Sequence, residues 1–233
     1  MKSKMDQLGL HFDLLARSED PIVANGYGKS STGLSADGAY SMIAERLIEY
    51  LSPLEDIDRL LEVGCGTGEI LCRLAAEFRH AKGLDISPKM VERAQSRGLD
   101  VSHYDGTLFP FESSTFSVIL IYQVLVNAPT IKRVGQLISE AWRCLEPGGV
   151  IYLGALPHPK WSTFPEHRSR RGLRARLASQ FAGGALTCYS ISWKDLLSIA
   201  DRLGAIECHV FRSPISLEGW SSKYDFVLRK KAN

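Results

Sequence analysis

The hydrophobic positions of this chain fall into short runs that alternate with stretches of helical spacing. Residues 59–63 (RLLEV) form an apolar run that ends in a glycine turn. In 69–78 (EILCRLAAEF), Ile70, Leu71, Leu74, Ala75 and Phe78 recur at three- and four-residue intervals, so the pair reads as a strand and then a helix. Residues 81–86 (AKGLDI) predict a second strand. Ser87-Pro88 predicts the start of a helix reaching about residue 98, because a hydroxyl caps the first turn and proline loses no hydrogen bond at the first helical position. Residues 101–104 predict a short third strand, and 117–122 (SVILIY) a fourth that is apolar enough for burial on both faces. A helix over 130–145 is stopped by Pro147, Gly148 and Gly149, and 150–156 predicts the fifth strand. Ser192 with Asp195 predicts a capping box for a helix ending near Leu203, and 206–212 and 223–229 predict two closing strands joined by a loop. Ahead of all this, residues 20–40 are rich in Gly, Ser and Asn and lead into a helix over 40–51.

Strands alternating with helices predict an α/β fold with a doubly wound, mainly parallel seven-stranded sheet, and the closing strand pair adds one antiparallel edge strand. The 233 residues suit a single domain. Its parts are an N-terminal segment and helix (1–52), a core (53–156), an insert (157–191) and a C-terminal helix and strand pair (192–233). A net charge of +2 gives no whole-chain attraction to nucleic acid or an anionic membrane. The five cysteines (Cys65, Cys72, Cys144, Cys188, Cys208) are odd in number and scattered, without zinc-ligand spacing, which fits reduced thiols and no metal. No apolar run suits a signal peptide or a membrane span, so a soluble, cytoplasmic protein is expected.

Ligands of such sheets bind at the carboxyl ends of the strands, which directs attention to the turn Glu62-Val63-Gly64-Cys65-Gly66-Thr67-Gly68-Glu69. Glycines let the backbone turn sharply and approach a ligand. A dinucleotide fingerprint beginning at Gly64 and Gly66 needs a third glycine at position 69, where this chain has Glu69. A carboxylate there suits a helix dipole but repels a diphosphate, which argues against a nicotinamide oxidoreductase.

LLEVGCGTGEIL resembles the E-x-G-x-G-x-G loop of class I S-adenosylmethionine-dependent methyltransferases, in particular the small-molecule, type 11-like group. Asp85, 21 residues beyond Gly64, matches the family acid that binds the ribose hydroxyls; Asp105-Gly106 followed by LFPFESSTF matches the adenine segment; Leu145-Glu146-Pro147-Gly148-Gly149 matches the turn before the fifth strand. The four segments keep the family order over residues 59–156. The resemblance implies a Rossmann-like fold and S-adenosylmethionine as cofactor. The contacts it implies are Glu62, Gly64, Cys65, Gly66 and Gly68 in the loop, Asp85 and Ile86 at the ribose, Asp105, Gly106 and Thr107 at the adenine, and Tyr122 at the methionine end. Two departures stand out. Ser117 replaces the usual Asp after Phe, a structural change, and Val126-Asn127 replaces a His-His pair found in many members, so no chemistry carries over from that pair.

The expected function is methyl transfer to O or N of a small, anionic metabolite. Neither the N/D-P-P-Y run of exocyclic amino-group methylation nor a Pro-Cys pair for cytosine chemistry is present. His158, after the fifth strand, is the candidate base for a hydroxyl acceptor, since its ordinary pKa suits proton abstraction; a loop histidine held between two prolines is the competing reading. Tyr27 reads equally as a cofactor contact or an ordinary loop tyrosine. The insert carries Lys160, Arg168, Arg170, Arg171, Arg174 and Arg176 against one acid, Glu166. Either this is a solvated helix face, or Arg168, Arg171 and Arg174 bind a phosphate or carboxylate on the acceptor. A non-catalytic cofactor-binding domain and a nucleic-acid methyltransferase are the alternatives, neither nucleic acid nor membrane being the expected partner.

Overall fold

The computed structural model describes residues 4–20, 35–54, 57–157, 191–212 and 223–232. Its strands are β1 (Arg59–Val63), β2 (His80–Asp85), β3 (Val101–His103), β4 (Phe116–Tyr122), β5 (Leu145–Pro157), β6 (Glu207–Arg212) and β7 (Lys223–Arg229). They form one sheet in the order β3-β2-β1-β4-β5-β7-β6. Pairing is parallel from β3 through β5, whereas β7 runs antiparallel to both β5 and β6. The expected α/β sheet with its reversed strand at one side is present, β7 being inserted between β5 and the outermost β6. Chain order reverses between β1 and β4, and that switch point leaves a crevice at the carboxyl ends.

The helices are α1 (Lys4–Leu15), α2 (Ala36–Leu51), α3 (Leu71–Leu74), α4 (Pro88–Ser96), α5 (Ile131–Cys144) and α6 (Trp193–Leu203). β4 shows why the sheet is covered on both sides: Val118, Leu120 and Tyr122 join a core with Tyr40, Ile43 and Leu47 of α2, while Ile119 and Ile121 join Val134, Ile138 and Ala141 of α5. Alternate residues of one strand thus enter different cores, the signature of a central parallel strand. Ser35, Ser87 and Thr130 each cap a helix by accepting a backbone N–H from inside its first turn. Ser117 bridges the starts of β1 and β4, accepting Arg59 N at 2.9 Å and donating to Arg59 O at 3.1 Å. None of the described helices is long and apolar enough to cross a membrane.

Several boundaries differ from the sequence reading. The helix expected over 69–78 shrinks to four residues followed by a 3-10 turn at Ala75–Glu77. The glycine turn continues through Ile70, and Arg73 Nη1 takes the Glu69 carbonyl at 2.6 Å. Strand β5 begins at Leu145, which pairs with Phe116; the Glu146–Gly149 stretch then bulges before Val150 pairs with Val118. Ser192 Oγ accepts from Lys194 N rather than from Asp195. Helix α1 has no counterpart in the sequence reading. It docks through Asp13, whose carboxylate accepts the Ser87 hydroxyl at 2.6 Å and Lys89 N at 3.1 Å, so α4 receives an acid at its N-terminus from a distant helix.

Replacing Asp13 by Ala is expected to cost about 1 kcal/mol and to speed amide exchange in α1. Exchange by mass spectrometry checks this, and unchanged protection would assign the docking to the buried Leu8 and Ala16 instead.

Candidate active site

The turn after β1 carries three left-handed glycines, Gly64, Gly66 and Gly68, with φ of 73°, 55° and 80°. Gly64 also has no room for a side chain, since a Cβ there would lie 2.3 Å from Val124 Cγ2 in the turn after β4. The two loops at the switch point therefore meet backbone to side chain. Gly64 N and Cys65 N both donate to Leu84 O of β2, at 2.6 and 3.1 Å.

Asp85 ends β2 and locks the turn. Its Oδ2 accepts Gly66 N and its Oδ1 accepts Ser87 N, each at 2.8 Å. A carboxylate offers about four acceptor positions, so both oxygens retain capacity for a ligand diol. Glu62 lies beneath the turn, 3% exposed, with its carboxylate taking the Leu71 N–H and its Oε2 without a partner. Burial pushes the Glu62 carboxyl up to about 8, with the Asp85 charge adding to the effect, and burial pushes Asp85 up to about 6 against its backbone hydrogen bonds. The thiol of Cys65, also buried, is held well above its ordinary range by burial and by both acids. That makes Cys65 a packing residue, not a thiolate nucleophile.

The sequence reading places Glu69 at a helix start, where its carboxylate suits the helix dipole but repels a diphosphate. The structure pairs it with Arg73 (3.1 Å) and with Arg97, and puts the helix start at Leu71. With Glu69 neutralised by two arginines and set ahead of the helix, the expected repulsion of a diphosphate weakens. Arg73 also reaches Asp37 and lies over the Tyr40 ring, at 5.8 Å from its centre, bracing α2 against the turn.

On the far side of β2, Gly106 is buried and left-handed, while Asp105 is exposed. Asp105 Oδ1 accepts Thr107 N at 2.7 Å and the Thr107 hydroxyl, bonds that hold its carboxyl below the usual range. Two features of α5 fix this loop, and neither was foreseen. Arg133 donates to Gly106 O; Glu140 accepts Phe109 N at 2.9 Å and Arg143, which in turn donates to Phe111 O at 2.9 Å. Ile86 is half-buried beside Asp85, with its carbonyl near Gly9 of α1.

At the end of β4, the Tyr122 ring lies on Gly154 of β5, where a Cβ would come within 2.1 Å of Tyr122 Cδ2. Gln123 and Ala155 follow with φ of 57° and 55°, both left-handed without being glycine. Asp225 of β7 supports the second kink by accepting Ala155 N and the Tyr152 hydroxyl, both at 2.7 Å. Sequence reasoning missed Gln123, Ala155 and Asp225, since nothing local marks them. The structure brings Glu62, Gly64, Cys65, Gly66, Gly68, Asp85 and Ile86 together at the strand ends. Asp105, Gly106 and Thr107 lie beyond β3, and Tyr122 after β4. Tyr27, His158, Arg168, Arg171 and Arg174 lie outside the described residues.

A carboxyl with a folded pKa above its unfolded value of 4.5 holds its proton more tightly in the native state, so its stabilising contribution is lost as pH rises through about 8. The melting temperature of the ligand-free protein is expected to fall between pH of about 6 and about 8, and Glu62→Gln to flatten that slope. Scanning fluorimetry at several pH values checks this; parallel profiles would remove Glu62 from the account.

Comparison with known proteins agrees with this geometry. The methyltransferase domain family model matches residues 61–153. The chain is similar to 27-O-demethylrifamycin SV methyltransferase of Amycolatopsis mediterranei (strain S699), with 31% identity over 166 residues, covering 66% of this chain and 59% of that protein. It thus spans less than two thirds of that relative. Phosphoethanolamine N-methyltransferase 2 of Haemonchus contortus, solved with phosphomonomethylethanolamine and S-adenosylhomocysteine, superposes with a TM-score of 0.69 at 16% identity, covering 100% of this chain and 61% of that one. The cyclase SpnF gives 0.68 at 18% identity, covering 100% and 98%. The glycine turn with its paired acids, the sheet order and the family match over residues 61–153 support a class I S-adenosylmethionine-dependent methyltransferase.

Proposed function

We propose that the protein transfers a methyl group from S-adenosylmethionine to an oxygen or nitrogen of a small anionic metabolite. The observation that carries the reading is the bond from Gly66 N to Asp85 Oδ2, which joins the glycine turn to the acid of the next strand at the switch point. The residues present fit the cofactor. Three left-handed glycines clear space at β1, a buried acid with spare acceptor capacity faces it from β2, and a buried Gln123 oxygen without a partner follows β4. Asp85 would hold the ribose hydroxyls, the Asp105–Thr107 turn the adenine, and Tyr122 the amino-acid end.

When bound, the cofactor supplies an electrophilic methyl group on a sulfonium. What the protein must contribute is alignment of the acceptor with it and exclusion of water. For a hydroxyl acceptor, His158 is the proposed base, and Arg168, Arg171 and Arg174 are the proposed anion-binding set. The relative in Amycolatopsis is named for an O-linked methyl group, which supports an oxygen acceptor. A second reading is a domain that binds the cofactor without transferring methyl, favoured by Val126-Asn127 standing where many family members have His-His.

S-Adenosylhomocysteine is expected to bind and raise the melting temperature, and Asp85→Asn to weaken binding by about 1.5 to 3 kcal/mol, the range for hydrogen bonds to a charged group. Calorimetry decides it, and binding of NAD in place of the homocysteine nucleoside would overturn the proposal. With an acceptor in hand, replacing Arg168, Arg171 and Arg174 together by Gln should raise its KM at least about tenfold while cofactor affinity holds. Unchanged kinetics would make the cluster ordinary surface.

A further inference from the structure

The sheet ends differently at its two sides. β3 closes one side with three residues, a poor template for another strand, whereas β6 closes the other with six (ECHVFR) and carries neither Pro nor Lys. Among the described residues no strand lies beyond β6, so one row of its backbone N–H and C=O groups faces out of the sheet. Ile206 extends this edge by donating its N–H to Arg229 O of β7 at 3.1 Å. Ile206 and Val210 are 59% and 44% exposed, whereas Val118 to Ile121 of the covered strand β4 are at most 1% exposed.

The two faces of β6 are chemically distinct. His209 and Phe211 turn toward α2, where Tyr50 stacks on Phe211 and its hydroxyl lies 3.3 Å from His209 Nδ1. Glu207 joins them through a 2.8 Å contact with His209 Nε2. Cys208 packs on the opposite core, that of α5 and α6, and by alternation Ile206 and Val210 share its face.

These features select one partner and one register. Two copies of an edge strand pair antiparallel about a two-fold axis normal to the sheet, and residues opposite one another then share a face. The axis therefore passes through one residue, which meets its own copy. Centring on His209 sets two imidazoles together and Glu207 against the partner's Phe211. Centring on Val210 sets His209 against the partner's Phe211. Centring on Cys208 sets Glu207 against the partner's His209, and Ile206 against the partner's Val210, on both sides of the axis. Acid then meets imidazole on one face and exposed aliphatic meets exposed aliphatic on the other, the cross-strand pairs that stabilise an antiparallel ladder. We propose that β6 is a dimerisation edge, on which a second copy of this chain pairs antiparallel about Cys208 and continues the sheet. Because β6 runs parallel to β5, the carboxyl edges of the two copies point in opposite directions, and the interface lies apart from both glycine turns.

Sedimentation velocity over a concentration series tests this on the full chain. A monomer–dimer transition is expected with a midpoint on the order of micromolar to tens of micromolar, since one strand pair covers less than the ~1,600 Å² of a standard interface. Val210→Lys, which sets a charge against the partner's Ile206, should raise that midpoint at least about tenfold. Glu207→Lys should raise it too, and adding His209→Glu should restore the dimer by rebuilding the opposite-charge pair. Copper-phenanthroline oxidation of the wild-type chain requires no variant to fold. It should give a disulfide-linked dimer, because residues facing across an antiparallel pair hold their Cα atoms about 4.5 to 5.5 Å apart, within disulfide reach. That product should vanish in Cys208→Ser. A chain that stays monomeric through the series, a dimer untouched by Val210→Lys, or a cross-link that survives Cys208→Ser would overturn the proposal. A double variant that remains monomeric would overturn the pairing of Glu207 with the partner's His209, and with it the register. S-Adenosylhomocysteine should bind monomer and dimer alike, so failure of the methyltransferase reading is seen separately, as absent binding.

Discussion

The buried carboxylate of Asp85 accepts two backbone N–H groups that belong to different elements, Gly66 in the turn after β1 and Ser87 at the start of α4. The second of these binds the acid to the cap of α4, whose Ser87 hydroxyl is in turn held by Asp13 of α1. One acid thereby sets the glycine turn, the entry of a helix and the docking of the N-terminal helix. Loosening it disturbs all three.

Holding that acid in the interior has an electrostatic cost that the structure distributes. Glu62 lies close enough for the Asp85 charge to raise its pKa, and His103 offsets the Asp85 charge only in small part. Positive charge is placed one layer further out, on Arg73 and Arg97, both bound to Glu69. The interior of the site is thus acidic and protonatable, suited to a ligand that is itself cationic, while the surrounding arginines stabilise the loop's scaffold. Such an arrangement favours a sulfonium cofactor over a diphosphate through the Asp85 carboxylate, since Glu62 holds its proton up to about pH 8.

Much of this was legible in the sequence because the responsible signals are local. β4 reads as buried on both faces from its composition alone, Ser87-Pro88 announces a helix, and the spacing of Gly64, Gly66, Gly68 and Asp85 locates the turn at the carboxyl edge and the acid that locks it. Ser117, read as structural, bridges β1 to β4. What escaped depends on contacts distant in sequence or on backbone geometry that residue type does not suggest. The helical spacing of 69–78 continues through a turn that Arg73 holds open, so α3 is shorter than its pattern. Helix α1 leaves Leu10 and Leu14 exposed and docks through a polar residue, which gives no clean apolar stripe. The left-handed Gln123 runs against its own residue type, and it takes the packing of Val124 on Gly64 together with the bond from Gln123 N to Gly154 O to impose it.

The kink at Ala155 depends on a carboxylate contributed by Asp225, a residue 70 positions later in the chain. β5 therefore acquires its final shape at the carboxyl edge only after β7 has been synthesised and inserted beside it. During translation, the first five strands emerge with the glycine turn complete but the β5 rim unsupported, and with β5 presenting an unpaired edge. Contacts of such long sequence separation form late. A nascent chain would therefore complete the turn after β1 before it gains the finished rim of β5. The interval between the two is the period in which the open β5 edge is exposed to aberrant pairing with other chains.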